Sequence, residues 1–274
     1  MKRNCVRIIG CIIGIGLCVY PTVASQIAKG NQGEIISTYR SEVKNINKEE
    51  MEDLYKEAEE YNALLQENTN RMLGDKDSCR ISEKEYEKLL NFSKGGVMGI
   101  VSIPKISVKL PIYHGTEENV LSVGIGHLEG SSLPIGGENT HCILTGHRGL
   151  PGAKLFTRLD EMEENDIFFI QVGEKELAYS IYKIDVIEPE DVEKFANVEG
   201  NDLVSLVTCT PYGINSHRLV VTGQRVEQKT IESKDIKSQI VSGRELLFIL
   251  IPFVLLGMLI MKLVLERRRC SCEE

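Results

Sequence analysis

Between Met98 and Val226 the chain is a succession of short strand-like runs: "MGIVSIPKI", "VKLPIYHG", "THCILTGH", "DIFFIQV", "LAYSIYKIDVI", "LVSLVTC" and "RLVVTGQRV". Most are rich in Ile, Val, Tyr and Phe, and Gly, Pro or Asn/Asp turns bound them. "NVLSVGIGHLEGSSLPIGGENT" interposes a helix-like turn and a glycine-rich loop. Seven or eight strands with few helices between them argue for a closed barrel or sandwich rather than an open parallel sheet. The expected fold class is therefore mainly β.

The flanks differ in kind from this middle. From about Glu34 to Phe92 the pattern is helical, with Met51, Leu54, Tyr55, Ala58, Tyr61, Leu64 and Leu65 on one stripe and Lys and Glu opposite. "NTNRMLGDKDSCRISEKEY" breaks that pattern before a further short helix over Glu83–Leu90. At the N-terminus Lys2, Arg3 and Arg7 precede an apolar run from Ile8 to Tyr20 that Pro21 interrupts, which reads as a signal anchor or a signal peptide. Leu246 to Leu265 is almost unbroken hydrocarbon, long enough to span a bilayer, and Arg267, Arg268 and Arg269 follow it. Basic residues stay cytoplasmic, so the tail is expected inside and the middle of the chain outside the cell membrane. The resulting division is 1–24 anchor, 25–97 helical extension, 98–228 β domain, 229–245 linker, 246–265 transmembrane helix and 266–274 cytoplasmic tail.

A formal net charge of −8 and the lack of a basic stripe argue against nucleic acid as a partner. No glycine-rich strand-to-helix motif and no Cys/His group with zinc spacing is present, so neither a cofactor nor a metal is expected. The cysteines are unevenly placed: Cys5, Cys11 and Cys18 lie in or beside the first apolar segment, and Cys270 and Cys272 lie beyond the basic stop. Only Cys79, Cys142 and Cys209 remain in the exported part, and an odd count there suits a free thiol better than a disulfide framework.

Cys209 and His147 each end an apolar strand, where a side chain emerges from a rigid sheet. Arg218 begins the strand that returns after Cys209, and a fixed cation beside a thiol favours thiolate and stabilises developing negative charge. His147 suits a general acid and base. His217 neighbours Arg218, but alternation lets only one of them face Cys209, and the arginine is the better candidate. Cys142, between His141 and Ile143, is expected to be buried and inert. His114, His127 and His141 are expected to be structural or groove-lining.

The set Leu206-Val207-Thr208-Cys209, Thr145-Gly146-His147 and downstream Arg218 closely resembles the sortases, cysteine transpeptidases of Gram-positive cell surfaces. The likeness runs from about Gly99 to Arg225. The stretch "IPKISVKLPIYHGTEENVLSVGIGHLEGSSLPIGGENTHCILTGHRGLPGAKLFTRLD" resembles class C, the pilin-polymerising subgroup, which carries a helical N-terminal extension and a C-terminal membrane anchor. The resemblance implies an eight-stranded sortase-type β-barrel, with Cys209 as nucleophile, His147 as general acid/base and Arg218 as oxyanion or substrate stabiliser. It implies as substrates pilins or surface proteins bearing an LPXTG-type sorting signal, cleaved between Thr and Gly and passed to a pilin lysine. The loop Glu188–Gly200 and the turn Thr210–Ser216 would shape the signal groove. Class C enzymes close that groove with a lid bearing Asp-Pro-aromatic. Here the corresponding stretch, within about 73–80, is "GDKDSC", which offers Asp75, Asp77 and Cys79 without proline or aromatic.

Other readings share these residues. A housekeeping-type sortase would use a cell-wall crossbridge amine, and a Cys/His peptidase would give the acyl-enzyme to water. A membrane-anchored assembly scaffold would not need Cys209 at all.

Overall fold

The computed structural model describes residues 2–67, 82–149, 154–191, 195, 198–227, 253–254, 256–258 and 261–262. Two helices come first. Helix α1 (Lys2–Asn45) carries Pro21 in its interior without a break. The apolar run that Pro21 ends and the extension that follows it thus lie on one helix. Proline removes one hydrogen bond, but its fixed φ is helical, so turns already formed on both sides can carry it. Asn47 Oδ1 accepts the Glu50 N–H at 2.8 Å, and Glu49 and Glu50 occupy the first turn of α2 (Lys48–Glu67). Both features favour a helix start.

Each helix buries one stripe against the strands: Ile36, Tyr39 and Val43 on α1, and Met51, Tyr55, Ala58 and Tyr61 on α2. Leu64, expected on that stripe, is 40% exposed, whereas Asn62 is buried. Asn62 Nδ2 donates to the Leu133 carbonyl at 3.3 Å and its Oδ1 accepts the Leu133 N–H at 2.7 Å. The last turn of α2 thus meets loop backbone, whose polar groups need a polar partner.

Tyrosine hydroxyls do the same elsewhere. Tyr39 Oη donates to the Met98 carbonyl at 3.4 Å and accepts the Gly173 N–H at 2.7 Å. Tyr55 Oη donates to the Val172 carbonyl at 2.9 Å and accepts the Glu174 N–H at 3.1 Å. Gly173 has φ +56°, and a Cβ there would lie 2.5 Å from Tyr55 Oη, so only glycine lets this turn meet the helix.

The strands are β1 (Val97–Ile103), β2 (Val108–His114), β3 (Ile125–His127), β4 (Thr140–Thr145), β5 (Ile167–Val172), β6 (Lys175–Ile187), β7 (Asp202–Thr210) and β8 (His217–Val226). They close into a barrel in the order β1-β2-β3-β4-β7-β8-β6-β5. The pairs β2–β3 and β4–β7 are parallel and the others antiparallel. The interior is filled by Val101, Ile112, Leu144, Phe168, Tyr179, Leu206 and Val221, all fully buried, with Phe168 stacked on Tyr179 at 5.5 Å between ring centroids. Helix α4 (Glu118–Leu121) lies in the crossover from β2 to β3.

Strand β3, only three residues long, sits inside the segment read from sequence as turn and loop. The expected lid residues Asp75, Asp77 and Cys79 lie outside the described residues, as does most of the span Leu246–Leu265. Among the described residues no helix is long and apolar enough to cross a membrane.

Helix α3 (Glu83–Tyr86) starts with Ser82, whose N–H and hydroxyl both donate to Glu85 Oε2, at 2.9 and 2.8 Å. It delivers Tyr86 to a buried polar cluster. Tyr86 Oη lies 2.7 Å from His127 Nδ1, and His127 Nε2 lies 2.9 Å from the Ser132 carbonyl. The Ser132 carbonyl can only accept, so Nε2 carries a proton, and in the neutral ring Nδ1 accepts from the Tyr86 hydroxyl. Complete burial pushes the His127 pKa down to about 4, and burial also lowers that of His114, whose Nε2 meets the Leu89 carbonyl at 2.7 Å.

Unfolded, His127 binds a proton near pH 6.5; folded, it does so only near 4. Between those values the unfolded chain holds more protons, so this stabilisation is complete above 6.5 and declines as pH falls towards 4. The expected loss is on the order of 3 kcal/mol across that window. Urea midpoints for His127→Gln should fall less steeply between pH 7 and pH 4.5 than those of the unsubstituted protein. Parallel profiles would show that this ring does not govern the acid sensitivity.

Candidate active site

Strands β7 and β8 are antiparallel neighbours in which Cys209 and Arg218 are direct register partners. Directly opposite residues point to the same face, so the thiol and the guanidinium project side by side. The turn between the strands is closed by the Ile214 and Asn215 N–H groups, which donate to the Pro211 carbonyl at 3.1 and 3.0 Å. Gly213 and Asn215 take positive φ there, and the Thr210–Pro211 peptide is cis.

His147 arrives from the other side of β7. Strand β4 runs parallel to β7 with Thr145 opposite Val207. The Gly146 N–H continues the pairing by donating to the Val207 carbonyl at 3.0 Å, and Thr208 Oγ1 donates to the Gly146 carbonyl at 2.7 Å. His147 therefore stands at the level of Cys209. By alternation, positions 147, 145 and 143 of the first segment share a face with 209, 207 and 205 of β7 and with 218, 220 and 222 of β8.

Below the three residues that face is apolar. Ile143, Val207 and Val220 form a small cluster with Ile187 and Phe195, separate from the barrel interior, with Leu128 packed against it. Farther along, His141 Nε2 meets Ser205 Oγ at 2.8 Å, which meets Thr222 Oγ1 at 2.8 Å. The site is a row of His, Cys and Arg at one end of an apolar floor.

Cys209 is partly exposed, whereas Cys142 is buried and burial drives its thiol pKa well up. Only the first is available to attack as a thiolate. Arg218 Nη1 donates to the carbonyls of Asn215 at 3.3 Å and His217 at 3.2 Å, contacts that hold the fork at the turn. His217, paired with Thr210, projects to the opposite face and meets Glu188 at 3.1 Å and Ser216 Oγ at 2.8 Å.

Two residues that pattern reading passed over support the row. Glu118, on α4, brings Oε2 to 3.1 Å from His147 Nε2. The Arg148 side chain is almost wholly buried; it donates to Thr210 Oγ1 at 3.0 Å and pairs with Asp160 at 2.8 Å. It links the residue after His147 to the residue after Cys209. Its guanidinium also lies 6.0 Å from the centre of the Tyr212 ring, and Tyr212 covers Gly149 so closely that a Cβ would meet it at 2.8 Å. Adjacency in "TGHRG" was the signal available for Arg148; Glu118 had none, because α4 and β4 meet only in the folded chain.

The sortase domain family matches residues 101–226. The chain is 32% identical over 135 residues to Sortase D of Bacillus subtilis, an alignment covering 48% of this chain and 65% of that protein, just under two thirds. Among solved structures, sortase C1 of Streptococcus agalactiae is 40% identical with a TM-score of 0.65, and the match covers 71% of this chain and 99% of that one. Sortase C of Clostridium perfringens, solved with the C-terminal cell wall sorting motif, is 40% identical with a TM-score of 0.62 over 71% of this chain and 98% of that one. A Cys–Arg register pair flanked by a strand-end histidine on an eight-stranded barrel, matched to these relatives over almost their whole solved lengths, leads to one conclusion: the chain belongs to the sortase family of cysteine transpeptidases, with class C sortases as its structural neighbours.

Proposed function

We propose that the protein is a membrane-anchored class C sortase that joins LPXTG-type sorting signals to a pilin lysine. The carrying observation is the register pairing of Cys209 with Arg218 at the end of a shared apolar face. Class C neighbours support the substrate class, one of them solved with a sorting motif and another described as a pilus-related sortase C of Group B Streptococcus.

The Cys209 thiolate attacks the threonine carbonyl carbon, and the carbonyl electrons move onto oxygen, where the Arg218 fork stabilises them. The C–N bond to glycine then breaks as His147 donates a proton to the leaving amine, leaving a thioester on Sγ. An incoming lysine amine attacks the thioester carbon and gives a proton to His147. Cys209 leaves as thiolate and an isopeptide bond remains. Ile143, Val207 and Val220 form the floor along which the apolar part of the signal lies.

The membrane part of the proposal rests on the sequence: the apolar run after Lys2, Arg3 and Arg7, and Leu246–Leu265 ahead of the triple arginine. Residues from about Gln26 to Arg244 are then outside the membrane and the C-terminal tail inside. The expected lid at Asp75, Asp77 and Cys79 remains part of the same proposal.

Cys209→Ala should abolish both peptide cleavage and ligation while leaving the thermal midpoint unchanged, because only the attacking atom is removed. Peptide adducts trapped at another cysteine of an active Cys209→Ala protein would refute the assignment. Arg218→Lys keeps the charge but loses the planar fork, so kcat/KM for the signal peptide should fall roughly thirtyfold to a thousandfold, about 2–4 kcal/mol. Turnover near that of the unsubstituted enzyme would mean that Arg218 supplies charge alone. Offering a pilin lysine peptide and a crossbridge amine to the acyl-enzyme distinguishes pilin polymerisation from cell-wall anchoring, and accumulation of hydrolysed signal alone would indicate a peptidase. Protease added to intact protoplasts should remove the catalytic domain; its protection would contradict the topology.

A further inference from the structure

A cavity of about 380 Å³ lies between α1 and the barrel, on residues outside the catalytic face. Its charged lining is one-sided. Lys29 of α1, Lys109 of β2, Lys154 and Arg158 all contribute, and among the described residues no lining residue is acidic, in a chain whose formal charge is −8. Arg158 is already paired with Glu161 at 2.7 Å and bonded to the Ile106 carbonyl at 3.3 Å, so Lys29 and Lys109 set the character of the mouth. Lys109 has its pKa lowered, first by partial burial and then by the nearby Arg40 cation, with Glu176 acting the other way, and a bound anion would favour its charged form further. Ser25, Gln32 and Ser107 add polar groups to the lining, and its deeper part is apolar, including Ile106, Leu110 and Leu155, all buried. A cationic mouth over a mostly apolar floor fits an amphiphile with an anionic head better than a small hydrated ion.

Position selects the amphiphile. Lys29 lies five residues beyond Ala24, the end of the proposed N-terminal membrane segment, on the same uninterrupted helix. At about 1.5 Å per residue that is roughly 7.5 Å, about the thickness of one interfacial layer of a bilayer. A helix leaving the hydrocarbon thus delivers the cavity to the level of the headgroups.

We propose that this cavity binds the phosphate group of an anionic phospholipid, with Lys29 and Lys109 as its charged ligands. The proposal rests on the reading of the N-terminal segment as membrane-inserted. A titration in micelles nevertheless reports on the cavity alone, whereas protease protection reports on the topology alone.

The full chain, held in nonionic detergent, is titrated with dioctanoyl phosphatidylglycerol, dioctanoyl phosphatidylcholine and inorganic phosphate, with binding read by native mass spectrometry. Phosphatidylglycerol should bind at least tenfold tighter than either alternative. The double substitution Lys29→Gln/Lys109→Gln should weaken it about twenty-fivefold, about fivefold for each lysine. Lys29→Arg/Lys109→Arg should retain binding, and Lys56→Gln, on the exposed face of α2, should leave it unchanged. Equal affinity for phosphatidylcholine, or undiminished binding to the double glutamine variant, would overturn the proposal. Inorganic phosphate binding as tightly as the lipid would reassign the site to free phosphate and remove the lipid from it.

Discussion

Everything at the catalytic face depends on the two different pairings of β7. On one edge it runs parallel to β4, and on the other antiparallel to β8. The antiparallel edge makes Cys209 and Arg218 neighbours across a single turn. The parallel edge makes the end of β4 coincide with the end of β7, so His147 and Cys209 emerge at the same level from segments far apart in sequence. Parallel strands need a long crossover, and here it is the chain from Gly146 to Asn201, carrying β5 and β6. Placing the histidine therefore requires closing the barrel first. A slip of one residue in either ladder would turn one member of the row to the opposite face.

The helical extension is joined to this barrel by polar contacts inside apolar packing. Tyr39, Tyr55, Asn62 and Tyr86 place side-chain oxygens or amides against strand-end and loop backbone that the sheet leaves without partners. Removing any one would strand a buried backbone group, which costs about 1–3 kcal/mol, more than the bond itself contributes. An apolar residue of similar size would fill the space but not meet that need. This is why the buried stripe of the extension is so rich in tyrosine.

That requirement also explains what could be read from the sequence. Strands with alternating or continuous apolar residues are legible, because burial on a fixed face imposes their period; seven of the eight stood out. Strand β3 did not, since three residues carry no period and "IGH" sits among glycines. Cys209 and Arg218 were legible because a hairpin keeps partners close in sequence. His147 was legible through its strand end. Asn62 and Glu118 were not: each is defined by a partner supplied from a distant element, and no local pattern marks a side chain whose role is to meet backbone or a charge elsewhere.

The same contacts couple the two ends of the molecule. Helix α1 is one continuous element from Lys2 to Asn45, and its final turns are fastened to β1 and to the β5–β6 turn by Tyr39. Strand β5 pairs with β6, β6 with β8, and β8 carries Arg218. Ile187, the register partner of Arg218 on β6, also belongs to the apolar floor. A rigid helix fixed to a closed barrel transmits orientation rather than flexible slack. If the N-terminal segment lies in the membrane, the groove must face a set direction relative to it. A long flexible tether would allow any approach to the thiol, whereas this arrangement presents it at a fixed angle and height. For a cysteine transpeptidase, which must admit an incoming amine to its thioester, a fixed presentation of the thiol would restrict the directions from which that amine can arrive.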